Sequence, residues 1–186
     1  LISNVSVLHE TAKQFADAIT TWRRFEKISA SWGTNFFKHH SYRLGGLHRL
    51  AGERAEAFEG YRQALASAEA LGDLFHRQWI AAELGCFFLD DDDREQARHW
   101  YEQAAAGARA LGDPLRLAES LVGMALASGG GGDLGEARRL SGETTTWSDL
   151  GRKLADALTG GDPEVARPLL PRPRTKLNRP FDLVNL

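Results

Sequence analysis

The stretch LGCFFLDDDDREQARHWYEQAAAGARALGDP, from Leu84 to Pro114, carries the pattern that decides the fold. From Arg94 onward, Ala97, Tyr101, Ala104, Ala105 and Ala108 recur at spacings of three and four, so they share one face of an α-helix. Small residues on that face let a second helix axis approach closely, and Tyr101, one turn along, fills the wedge that opens beyond the crossing. The helix runs out at Leu111-Gly112-Asp113-Pro114. There Gly112 suits a left-handed C-cap, Asp113 an N-cap, and Pro114 the first position of the next helix. Leu84-Gly85 falls inside the preceding helix, where glycine costs about 1 kcal/mol against alanine. Its presence argues for close contact with a neighbour.

The same pattern returns on either side. Leu44-Gly45 precedes Leu84-Gly85 by 40 positions, and Ala57, Ala97 and Ala137 share that offset, as do Tyr61 with Tyr101 and Ala64 with Ala104. Leu71-Gly72 recurs as Leu111-Gly112 and, 39 further on, as Leu150-Gly151; Trp32-Gly33 lies 39 before Leu71-Gly72. Several independent positions at one offset indicate an internal repeat. Each unit reads as two helices, the second predicted over residues 53–70 and 94–110, with Asp73 and Asp113 capping the helix that follows.

The segment Leu84-Gly85, Phe88, Ala97, Tyr101, Ala104 resembles the tetratricopeptide repeat, and Leu44-Gly45, His48, Ala57, Tyr61, Ala64 resembles it with His48 in the aromatic place. A first copy is read in residues 9–18, with Ala18, Trp22 and Phe25 in its second helix; a fourth is marked by Met124-Ala125 and Ala137, with Ser141 and Thr144 where Tyr and Ala are expected. The resemblance covers roughly residues 5 to 158 and is looser at both ends, as terminal capping repeats are. It implies an all-α fold, a TPR-like right-handed solenoid of antiparallel helix pairs. The period near 40 exceeds the family's usual 34. Long-period forms resemble those of bacterial signal-transducing ATPases, antibiotic-regulator-type transcription factors and peptide-sensing regulators.

In that family the first helix of each pair lines a concave surface that contacts the ligand. Projected by helical spacing, this face carries His39, Tyr42 and Arg49, then Trp79, Ala82, Cys86 and Leu89, then Glu119, Val122 and Leu126. Trp79 ringed by Arg, His and Glu is a reasonable anchor for a peptide; packing between repeats is its bland alternative. Trp22 and Trp100 fall in second helices and read as core.

Other candidate chemistry dissolves on inspection. Asp90 to Asp93 lacks the alternating ligands, bend glycine and closing Glu of a calcium loop, and aligns with the turn Ala51-Gly52-Glu53. Gly129 to Gly132 lacks the Gly-Lys-Ser/Thr of a phosphate cradle and reads as a flexible connection. His39, His40 and His48 have no Cys or carboxylate at zinc spacing, and Cys86, following Leu84-Gly85 in an apolar helix, reads as a structural thiol. No cofactor or metal is expected, and no Ser-His-Asp order or zinc-protease helix is present to suggest an enzyme.

Charge sets further bounds. Lys+Arg of 23 against Asp+Glu of 25 leaves a net −2, unlike the basic surface of a nucleic-acid binder. The single cysteine excludes an internal disulfide and fits a reducing, cytoplasmic compartment. No run of roughly 20 apolar residues suits a membrane span, and residues 1–8 do not read as a secretory signal. Abundant alanine with mostly Arg among the basic residues fits a GC-rich bacterial source, and the missing initiator Met leads to the expectation of a piece of a longer protein.

Two domains are expected: a helical repeat region over 1–158 and a tail over 159–186, Pro/Arg-rich, with a short helix at 163–170. The tail's Leu177, Phe181, Leu183 and Leu186 suggest anchors by which it lies back on the repeats or on a neighbouring chain, with the groove as one place it could occupy as an internal pseudo-ligand. The expected function is a protein- or peptide-binding scaffold of a larger cytoplasmic regulator. The alternatives are a sensory domain for a signalling peptide or small molecule, and a self-assembly module forming a homo-oligomer.

Overall fold

The computed structural model describes residues 15–31, 41–130, 134–145 and 148–170, and every regular element among them is helical. In chain order these are α1 (Phe15–Ser31), α2 (Ser41–Ala51), α3 (Arg54–Ala70), α4 (Leu74–Asp90), α5 (Arg94–Leu111), α6 (Pro114–Ala127), α7 (Leu134–Thr144), α8 (Asp149–Ala157) and α9 (Pro163–Ala166). Single 3-10 turns occupy Leu158–Gly160 and Arg167–Leu169. The helices expected over 53–70 and 94–110 are therefore present within a residue of their expected bounds.

One turn design closes most of them. Gly72 and Gly112 take left-handed backbone at φ 65° and 63°. In both, the next N–H reaches back five residues, Asp73 to the Ala68 carbonyl and Asp113 to that of Ala108, each at 2.9 Å. This double bond across a left-handed residue satisfies the carbonyls left over at a helix end. The same pairing recurs about Gly52, Asp92 and Gly129. Gly52, Gly72, Asp92 and Gly112 thus fall every 20 residues, so each 40-residue unit is two halves closed alike. At Asp92 an aspartate takes the left-handed place at φ 58°, which Asp tolerates better than most side chains. Asp73, Asp93 and Asp113 then each accept a backbone N–H at the start of the following helix. The acidic run at Asp90–Asp93 is accordingly a helix–helix turn.

The described residues form two compact units, one ending at Ser67 and the other beginning at Ala68, within α3. In the first, α1 packs on α2 through Ala18, Ile19, Trp22, Leu44 and Leu47. Trp22 meets Phe25 edge-on at 5.5 Å, and the Arg43 guanidinium stands 5.4 Å from the Trp22 ring centre. Gly45 allows α3 against α2: a Cβ there would lie 2.9 Å from the Ala57 carbonyl and 3.1 Å from the Tyr61 ring. His48 is buried, its Nδ1 2.5 Å from Glu53 Oε2.

In the second unit each helix from α4 to α8 packs on the next. Tyr101 is the pin. Its ring is fully buried, a Cβ on Gly85 would lie 2.9 Å from three ring atoms, and Gly123 presses on the same ring from α6. The phenol lies 3.0 Å from Cys86 Sγ. One expectation is sharpened here and another changes. In the fourth copy, marked by Met124-Ala125, the close contact with Tyr101 is made by the neighbouring Gly123. Leu150-Gly151, expected as a counterpart of the C-cap Leu111-Gly112, lies inside α8, where Gly151 meets Thr144 and Ser141. A short α7 brings that close contact forward, so the offset matches while the role does not. Past Leu158 the chain stays in this unit: Leu158, Ala166 and Leu170 are buried with Leu126 and Leu154. Residues 171–186, including Leu177, Phe181, Leu183 and Leu186, lie outside the described residues.

Candidate binding face of the second unit

α4 carries a stripe at helical spacing, Phe75, Trp79, Ala82, Cys86 and Leu89. It begins exposed and ends buried. Phe75 is 47% exposed and its ring centre stands 6.0 Å from that of Trp79. Leu71 and Leu74, in the turn beside it, are about half exposed, and Trp79 is half-buried. Ala82, Cys86 and Leu89 are buried. Residues 71–75 thus expose three large apolar side chains, of which Phe75 adjoins the indole, a density that single scattered surface residues do not produce.

Below the indole sits a charge. The Arg116 guanidinium lies 4.1 Å from the Trp79 ring centre, within cation–π range. Arg116 is 5% exposed and Glu119 2%, and Arg116 Nη1 donates to Glu119 Oε2 one turn on. Ser120 Oγ donates to the Arg116 carbonyl at 2.8 Å, and Asp113 Oδ1 accepts the Arg116 N–H at 3.0 Å. A buried pair of this kind adds little net stability over apolar packing, but losing one member strands a charge. At the site it sets a cation against the face of the indole.

Of the face projected from the sequence, Glu119, Val122 and Leu126 on α6 and Ala82, Cys86 and Leu89 on α4 are all buried, so this part is packed rather than open. Tyr42 and Arg49 are half-buried on α2 in the first unit, and His39 lies outside the described residues. Of the projected residues in the second unit, Trp79 alone retains partial exposure. Sequence reasoning missed Arg116 and the exposed Leu71, Leu74 and Phe75. Arg116 was legible in principle: it lies one turn before Glu119, and a cation in the first turn of a helix opposes the macrodipole unless a partner holds it.

The thiol of Cys86 pairs with the Tyr101 phenol deep in the core. Among the described residues no three His, Cys, Asp or Glu side chains are placed to hold a metal ion, and no helix is long and apolar enough to cross a membrane. Comparison with protein-family models, with curated proteins and with solved structures finds no match to this chain.

Proposed function

We propose that the chain is a protein- or peptide-binding scaffold, a stack of helix pairs of the tetratricopeptide kind within a larger cytoplasmic bacterial regulator. The partner segment is held at the exposed end of the α4 stripe. The repeat part rests on one device used twice, 40 residues apart: Gly45 against Tyr61 and Gly85 against Tyr101.

The observation that carries the binding part is exposed Phe75 beside Trp79, whose ring stacks on the ion-paired Arg116, with Leu71 and Leu74 exposed in the same stretch. A rigid aromatic beside exposed apolar groups loses little conformational entropy when a partner covers it, and such residues dominate interface energetics. Selection of a displayed random-peptide library against the folded chain tests this. Enrichment of a related set of peptides, each weakened about 10-fold or more by Trp79→Ala, is the expected outcome. Absence of any enriched set after repeated selection would contradict it.

A further inference from the structure

The chain returns after α8 to the Leu89 end of the α4 stripe. After α8, the 3-10 turn at Leu158–Gly160 and left-handed Gly161 reverse the backbone. Asp162 caps α9 by accepting the Glu164 N–H, and Pro163 starts that single turn. α9 and the following 3-10 turn pack not only on the preceding α8 but also back on α6. Ala166 and Leu170 enter the apolar cluster that also holds Cys86, Leu89, Val122 and Leu126. Arg167 then reaches farthest: its Nη2 donates to the Leu89 carbonyl at 3.4 Å, across 78 positions, while its Nη1 lies 3.3 Å from Glu164 Oε2. Leu89 lies in the last turn of α4, where the negative end of the helix dipole attracts a cation; its carbonyl also accepts the Asp92 N–H at 3.2 Å.

We infer that residues 162–170 are an internal occupant of the α4–α6 face, a strap that fills it as a partner segment would. The partner class this face takes is then a short segment that matches the strap: a Pro-initiated turn, Ala and Leu side chains for the apolar floor, and an Arg for the α4 terminus. This deepens the scaffold reading and rests on it. The strap is built to leave. It is one α-turn and one 3-10 turn long, a length with negligible helix stability of its own. Of its side chains, Val165 is 57% exposed, and only Pro163, Ala166 and Leu170 are buried. A partner with the same anchors and more contact at Phe75 and Trp79 displaces it.

Two measurements on the full chain decide this. In native-state hydrogen exchange, the amides of residues 166–170 should exchange at least about 10-fold faster than those of Val122–Ala127, through a local opening. Exchange of both sets together, only by global unfolding, would make the segment ordinary core and overturn the inference. The second uses a fluorescent peptide of residues 162–171 added to the parent and to the R167E/L170D variant. Binding to the variant about 10-fold or more tighter than to the parent is expected, since only the variant has a vacant face. Equal binding to both, or to neither, would reject the strap. Where circular dichroism finds R167E/L170D unfolded, Arg167→Ala replaces it. That milder change should speed exchange of residues 166–170 several-fold and leave α6 unchanged, and no acceleration rejects the strap. Library-selected peptides that bind parent and variant alike reject the strap and leave the scaffold standing. A strap that opens and rebinds its own peptide while no library peptide binds overturns the scaffold reading alone.

Discussion

Tyr101 and Ala104 on α5 correspond at 40 residues to Ser141 and Thr144 on α7, and the two pairs fill their places in opposite ways. Around Tyr101, an aromatic ring is clasped by Gly85 and Gly123 from the helices on either side. At α7 the ring is gone, and Gly151 of α8 closes directly on Thr144 and the Ser141 carbonyl. The hydroxyls there are spent within their own helix: Ser141 Oγ donates to the Ala137 carbonyl and Thr144 Oγ1 to the Ser141 carbonyl, both at 2.8 Å. One site is held by volume, the other by close approach with polar groups satisfied locally. A helical glycine in close contact is therefore common to both, mid-helix at Gly85 and in the first turn at Gly151, while its partner changes with the space available.

The sharpest way to break this contrast is Tyr101→Ala. Removing the ring opens a void facing both glycines, and a loss of about 3–5 kcal/mol in urea unfolding is expected. Tyr101→Phe keeps the volume and should lose only about 1 kcal/mol with the phenol–Cys86 contact. Next in size is overpacking. Gly151→Ala should destabilise by roughly 1–3 kcal/mol. Thr144→Ala, in the double variant, should restore part of that, because it removes the hydroxyl the new methyl strikes. Additive effects in that cycle would mean Thr144 is not what Gly151 accommodates.

A smaller effect of opposite sign tests the rule of local satisfaction. Gln78 is 2% exposed, packs on Gly107, and neither amide atom finds a hydrogen-bond partner among the described residues. Gln78→Met keeps the shape and removes the unsatisfied groups, so a gain of about 1 kcal/mol in thermal or urea unfolding is expected. A loss would mean that the amide is engaged in the folded protein.

Smallest is the exposed rim of α3. There Arg62 grips Glu59 with two bonds at 2.8 and 2.7 Å and Gln63 adds a third, holding the Glu59 carboxyl down at about 2. Because the folded value lies below the ordinary 4.5, this grip stabilises the fold above that range and is lost as pH falls toward 2. Carboxyl titration by NMR should find Arg62→Ala returning Glu59 most of the way to its ordinary value.

Much of this was legible in the residues themselves. The offset of 40 placed α3 and α5, and the Gly–Asp pairs gave their caps because a left-handed residue and an N-cap leave distinct chemical traces. Asp92 hid the same turn at the halfway point, since an aspartate in a left-handed place looks like one more charge in an acidic run. Leu150-Gly151 misled for the converse reason: a dipeptide specifies neither cap nor crossing until the length of the preceding helix is known. The candidate face was legible only in part. Periodicity named the stripe from Trp79 to Leu89, but exposure depends on what else the chain lays over it. Helices α5 and α6 bury its far end, where Arg167 of the returning segment also reaches the Leu89 carbonyl, while the flanking Leu71, Leu74 and Phe75 stay open.

The most direct test is a paired measurement on Trp79→Ala: its melting temperature, and its affinity for a library-selected peptide by calorimetry. The expected result is an affinity lowered about 10-fold or more with a far smaller change in melting temperature than Tyr101→Ala produces. A variant that melts as early as Tyr101→Ala yet binds the peptide as the parent does would contradict the claim, making Trp79 a packing residue and leaving the exposed end of α4 without a role.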